Sequence, residues 1–292
     1  MNFNTKVMNF NAKPLVGLAL ATTAGLLSSA AQAELISIGD AQIQFARPIF
    51  QSTGSDTVRI YYPNASGGES SMRTRAGRFS GSATTSDFDA DIFYEDADMV
   101  YMYCVDLYQS ISSGWNVTYD VHTLSDTGPN TLTTAQHPTE RDFDRTLDFL
   151  GALNYTLADS YGHLGFEDSV YNWLNPTANW MSGAIQLGIW ESLYEDVGNS
   201  TPAWDIASGD FRVGTTGGSG NTMDARGAEL LARTFGNIGG KGVEALGSQY
   251  ALVLSSDRYQ DMIAGDPPAG VPAPATAGLL AAGLALFRRR RS

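Results

Sequence analysis

The chain has 292 residues, enough for one large domain or two small ones and ample for burying a core. Its 18 Lys and Arg stand against 31 Asp and Glu, a net charge of −13, which excludes partners held mainly by phosphate contacts and so excludes nucleic acid. One cysteine, Cys104, allows no internal disulfide and no cysteine-based zinc or iron-sulfur site.

Residues 1–33 carry an early positive charge (Lys6, Lys13), an apolar run from Leu15 to Leu27 and the small-residue stop Ala31-Gln32-Ala33. That order predicts a secretory signal peptide cleaved before Glu34. Residues 34–265 then form the body. From Leu35 to about Val121, short alternating runs separated by Gly, Ser, Asn and Asp predict strands. Ile43 and Phe45 alternate with polar neighbours, as do Val58, Ile60 and Tyr62, and Asn64 to Ser71 reads as a loop. The acidic run Asp87, Asp89, Asp91, Glu95, Asp96, Asp98 lacks the turn glycine and terminal glutamate of a calcium loop and reads as a solvated strand face. From Met99 to Leu107 the alternation places Tyr101, Tyr103, Val105 and Leu107 on one face and Val100, Met102, Cys104 and Asp106 on the other. Trp115, Val117, Tyr119 and Val121 make the next strand after a turn at Ser112 to Gly114.

The period then changes. With Thr139 as cap, Phe143, Leu147, Leu150, Asn154 and Leu157 recur at helical spacing. A second helix starts after Asn175-Pro176 or near Asn179 and carries Ile185, Ile189, Trp190 and Leu193. A third covers Met223 to Phe235, and Tyr250 to Leu254 returns to strand. The fold class expected is α+β: a β-rich N-terminal half, sandwich or barrel-like, with a helical second half in one domain.

Residues 266–292 read as a Pro/Gly linker, a small-residue apolar run from Ala275 to Phe287, and four arginines before Ser292. The run would span roughly 20 Å as a helix, short for a permanent membrane crossing, and the arginines would stay cytoplasmic. This layout resembles the PEP-CTERM sorting signal of Gram-negative bacteria, read by an exosortase. The box is Val271-Pro272-Ala273-Pro274, with Ala273 where that family usually has Glu. The resemblance implies an exosortase-type partner, transient inner-membrane insertion through this transmembrane helix, and final placement at the cell surface or in the extracellular matrix.

Two segments of the body carry chemistry as a pair. Tyr103-Cys104-Val105-Asp106 lies on a predicted strand, and Ile185-Gln186-Leu187-Gly188-Ile189-Trp190-Glu191 on a predicted helix. Alone, Cys104 is a small buried hydrophobe and Gln186 a helix-surface amide. Together they resemble the Cys-Gln thioester domains of bacterial surface proteins, often described by a TQxA motif, with Ile185 and Gly188 in place of the usual Thr and Ala. Weaker similarity runs from Gly77-Arg78-Phe79-Ser80-Gly81 to Tyr259-Gln260-Asp261. The resemblance implies a cross-link between Cys104 and Gln186 that an extracellular amine or hydroxyl on a matrix or partner surface would open. That is single-use covalent adhesion, neither an enzyme nor dependent on a cofactor.

Thiolate attack on a carboxamide with loss of ammonia makes such a bond, so the Cys104 sulfur and the Gln186 carbonyl carbon should meet at near-contact distance. Gln186 is expected within the first two turns of its helix, where first-turn backbone N–H groups would stabilise an oxyanion. Tyr101, Tyr103, Trp180 and Trp190 are candidates for shielding the bond, beside their ordinary role in core packing. The alternative reading is a non-covalent structural or carbohydrate-binding matrix protein in which Cys104 is merely buried. An extracellular cysteine hydrolase using His122, His137 or His163 lacks a local nucleophile signature. The loop Gly217 to Gly220 lacks the Lys-Ser/Thr of a phosphate cradle.

Overall fold

The computed structural model describes residues 35–50, 54–64, 66, 68–126, 129–133, 141–195, 204–214 and 220–266. The expected signal peptide, the sorting box at Val271 to Pro274 with its apolar run, Thr139, His137 and most of the Gly217–Gly220 loop lie outside these residues. The chain is mixed α and β. Among the described residues eleven strands and three α-helices follow in order: β1 (Ile36–Phe45), β2 (Asp56–Pro63), β3 (Glu69–Ala76), β4 (Phe79–Thr85), β5 (Val100–Cys104), β6 (Asn116–Thr123), β7 (Thr131–Leu132), β8 (Arg141–Asp142), α1 (Phe143–Tyr161), α2 (Asn179–Tyr194), β9 (Arg212–Val213), α3 (Ala225–Asn237), β10 (Ala251–Ser255) and β11 (Met262–Gly265).

Six strands close a barrel in the order β1-β4-β5-β11-β10-β6, with every pairing antiparallel. Alternation explains its wall: Ala41, Ile43 and Phe45 of β1 and Val117, Tyr119 and Val121 of β6 are buried, while Gln42, Gln44, Asn116 and Thr118 between them are exposed. Closure gives each of the six strands a neighbour on both sides. β3, β2 and β9 form a separate antiparallel sheet, so the β-rich half is a barrel plus a small sheet and not a two-sheet sandwich.

Helix α2 packs on α1, α3 and strands β2 and β3, and every residue from Trp180 to Tyr194 is buried. A helix buried on every face belongs inside a core, and two glycines let it approach its neighbours closely. A Cβ at Gly183 would stand 2.6 Å from the Asp56 Cβ, and one at Gly188 would stand 2.0 Å from the Phe149 ring of α1. Phe149 thus accounts for glycine at the position where the resembled motif has alanine. By contrast α3 buries one stripe, Gly227, Leu230, Leu231 and Thr234.

Three local expectations are corrected. The cap of α1 is Asp142, whose side chain accepts from the Asp144 N–H at 2.9 Å. The segment read as a loop from Asn64 to Ser71 already enters β3 at Glu69. The acidic run after β4 is solvated but is no strand. It forms turns around a short 3-10 helix at Ala90–Ile92, with the Asp89 and Asp96 carboxylates accepting from the Asp91 and Asp98 N–H groups. Such side chain to backbone bonds compete with strand pairing and favour turns.

Candidate functional site

Cys104 is the last residue of β5, and its neighbours decide which way its backbone faces. The Val105 N–H donates to the Asp261 carbonyl at 2.9 Å, on the β11 side. Alternate residues of a strand point their peptide groups to opposite edges, so Cys104 offers its N–H and C=O to the β4 side. There β4 begins only at Phe79, opposite Met102, and has nothing to pair with Cys104. The preceding Arg78 N–H instead donates to the Ser182 hydroxyl of α2 at 2.7 Å.

The side-chain amide of Gln186 fills the gap. Its Oε1 accepts from the Cys104 N–H at 3.0 Å, and its Nε2 donates to the Cys104 C=O at 2.7 Å. A carboxamide pairs here as the peptide of a neighbouring strand would, between residues 82 positions apart and both fully buried. Gln186 is the eighth residue of α2. At 3.6 residues per turn it opens the third turn, so the unpaired N–H groups of the helix start are not its partners. The donor at its oxygen is the backbone of Cys104 itself.

The thiol is fully buried against the main chain of Asp106. Cys104 Sγ donates to the Asp106 carbonyl at 2.7 Å and accepts from the Asp106 N–H at 3.3 Å. Burial pushes the thiol pKa well up, the nearby Asp106 and Asp261 charges add to this, and the Asp106 backbone bond and the Trp190 indole N–H pull against it. Asp106 accepts from the Tyr108 N–H at 2.7 Å through Oδ1, while Oδ2 is buried without a partner. Burial, opposed by the Tyr108 N–H, pushes its pKa up to about 6.

An ion pair braces the same segment. Arg141 Nη2 meets Asp261 Oδ2 at 2.7 Å with both side chains wholly buried, and Asp261 Oδ1 accepts from the Ser256 N–H at 2.7 Å. Burial raises the Asp261 pKa, and Arg141 opposes it. The Tyr194 hydroxyl accepts from the Leu107 N–H at 3.0 Å and donates to the Val105 carbonyl at 3.3 Å. Residues 104–108 are therefore held from α2, from the strand before α1 and from the approach to β11. Sequence patterns did not point to Arg141 or Tyr194 as parts of this site. An arginine just ahead of the helix that begins at Phe143 was the only sequence signal for the first.

The four aromatic candidates separate. Trp190 lies one helical turn beyond Gln186, and its indole nitrogen is buried without a hydrogen-bond partner. Tyr103 points away on the other face of β5 and packs on Trp173, with ring centroids 5.9 Å apart. The Arg78 guanidinium covers the Tyr101 ring, 3.6 Å from its centroid. Trp180 packs toward Tyr161 and Arg226. No hydrolase dyad forms among the described residues: His122 Nε2 is engaged by Ser255 at 2.8 Å and Asp120 at 3.3 Å, and His163 is exposed beside Tyr161. Among the described residues no group of three or more His, Cys, Asp or Glu is placed to hold a metal ion, and no helix is long and apolar enough to cross a membrane.

The chain matches no protein-family model, and it has no match among curated proteins or solved structures.

Proposed function

We propose that this is an exported surface protein whose Cys104 and Gln186 form an internal thioester for covalent attachment to an extracellular amine or hydroxyl. The observation that carries the reading is the pairing of the Gln186 carboxamide with the main chain of Cys104, in a site closed to water. In the forming step the sulfur attacks Cδ of Gln186, the C–N bond breaks, and ammonia leaves with the thiol proton. Negative charge collects on Oε1, where the Cys104 N–H already stands at 3.0 Å. Holding both groups in one place replaces a bimolecular encounter and lowers the barrier by several kcal/mol. Burial keeps water from the product, and the single lysine of the body, Lys241, leaves few internal amines to quench it.

In the capture step an external amine or hydroxyl attacks the same carbon, the C–S bond breaks, and Cys104 regains its proton. The product is an amide or ester to Gln186. This is adhesion by one turnover per molecule. Within this reading the signal at residues 1–33 exports the chain. The tail, with its box at Val271-Pro272-Ala273-Pro274, holds it in the inner membrane until an exosortase-type enzyme passes it to the surface or matrix.

The intact mass of the secreted protein tests the cross-link. It should be one ammonia lighter than the mature sequence, and Cys104→Ala or Gln186→Ala should restore the full mass. Methylamine should then add to Gln186 and expose one thiol per adduct. A full-mass wild type with no adduct would make Gln186 a structural clamp between α2 and the barrel, and the protein a non-covalent matrix component.

A further inference from the structure

The indole N–H of Trp190 makes no hydrogen bond in the folded chain. Trp190 is 2 % exposed, and its Nε1 is buried without a partner that meets hydrogen-bond geometry. An indole nitrogen can only donate, and a buried donor left unpaired is destabilising, so its persistence calls for a reason. Trp190 stands at i+4 from Gln186 on α2, which puts both side chains on the helix face turned to the end of β5. Gln186 fixes that register by pairing with Cys104 through both amide atoms. The Cys104 sulfur, whose thiol the indole influences, already donates its proton to the Asp106 carbonyl at 2.7 Å.

We infer that the Trp190 N–H is the donor reserved for the Cys104 sulfur when that sulfur carries negative charge, acting with the Asp106 N–H as a two-donor cradle for the thiolate. The inference rests on the thioester reading. In the capture step the nucleophile adds to Cδ of Gln186, the electron pair of the breaking C–S bond goes to sulfur, and the proton shed by the nucleophile ends on that sulfur. Between those events sulfur is an anion in a buried site, with its own proton gone and with the Asp106 carbonyl, once its acceptor, now repelling it. The Asp106 N–H at 3.3 Å is one donor, and the indole supplies the second. The same pair serves the forming step, since there too the sulfur reacts as thiolate. Trp190 would then touch the reacting atoms and be catalytic for both acyl transfers, beyond any part in excluding water.

The test compares methylamine capture by the wild type, Trp190→Phe and Trp173→Phe. Trp173 is the control because it is equally buried and its Nε1 is also unpartnered, but it packs against Tyr103 on the opposite face of β5. Trp190→Phe should keep the fold and the ammonia-loss mass but capture methylamine about ten- to a hundredfold more slowly, the worth of one hydrogen bond to a charged group. Trp173→Phe should capture at the wild-type rate. Should Trp190→Phe fail to fold, benzothienylalanine at position 190 replaces the N–H by sulfur within the same ring shape and should show the same loss of rate. A thioester present by mass in all proteins with equal capture rates overturns the inference and leaves the thioester standing. Absence of ammonia loss in the wild type overturns both.

Discussion

Asp261→Ala removes one partner of the Arg141 ion pair and leaves a guanidinium in a place with no access to water. Both side chains are fully buried at 2.7 Å separation, and Arg141 Nε already lacks a partner, so the stranded charge has no second carboxylate to turn to at bonding distance. Breaking such a pair costs about 3 to 5 kcal/mol, and the Ser256 N–H loses its 2.7 Å acceptor as well. For a body of this size each kcal/mol moves Tm by about 2 to 4 °C, so Asp261→Ala should melt roughly 6 to 20 °C below wild type at neutral pH. Circular dichroism melts with parallel urea titrations give the number. The double variant Arg141→Met/Asp261→Leu removes both charges together and should recover most of the loss, because replacing a whole buried pair by apolar groups is close to neutral. A drop of under about 3 °C for Asp261→Ala would refute the assignment of this pair as the brace behind Cys104.

Gly188→Ala should destabilise despite the gain of about 1 kcal/mol expected for alanine in a helix, because its methyl would meet the buried Phe149 ring. In a Phe149→Leu background the same change should stabilise, and a double-mutant cycle that shows no coupling would exclude the contact. Glu191 is buried, and burial pushes its pKa up to about 8. Its stabilising contribution is full below the unfolded carboxyl value of about 4.3 and is lost as pH rises through 8. Wild-type Tm should therefore fall from pH 5 to pH 8 and Glu191→Gln should flatten part of that fall, with Asp106 and Asp266, raised to about 6 and about 7, accounting for slope that remains. An unchanged slope in Glu191→Gln would place the titration elsewhere. Deleting Ala275 to Ser292 should release the protein into the medium, and unchanged surface retention would show that the tail is not the sorting determinant.

Local periodicity carried much of the architecture. The alternation in Ile43/Phe45, Met99 to Leu107 and Val117 to Val121 matches β1, β5 and β6, and the helical spacing after Phe143, Asn179 and Met223 matches α1, α2 and α3. These elements are legible because a strand or helix with one buried face repeats its apolar residues at its own period. β3 and β4 were not, since Glu69-Ser70-Ser71 and Ser80-Gly81-Ser82 are held by pairing with β2 and β5 and not by an apolar stripe. β11, four residues long, is recognisable only once β5 and β10 stand on either side of it.

The candidate site divides in the same way. The residue types, a thiol on a strand and a carboxamide on a helix, were present in the sequence. What brought them together is tertiary: a barrel that closes through pairings far apart in the chain, and a strand β4 that starts too late to pair with Cys104. The open edge that results is satisfied by Gln186, because a buried peptide group must find a hydrogen-bond partner wherever the fold offers one. No local pattern records where a neighbouring strand will begin, so the meeting of these two side chains was decided by the fold alone.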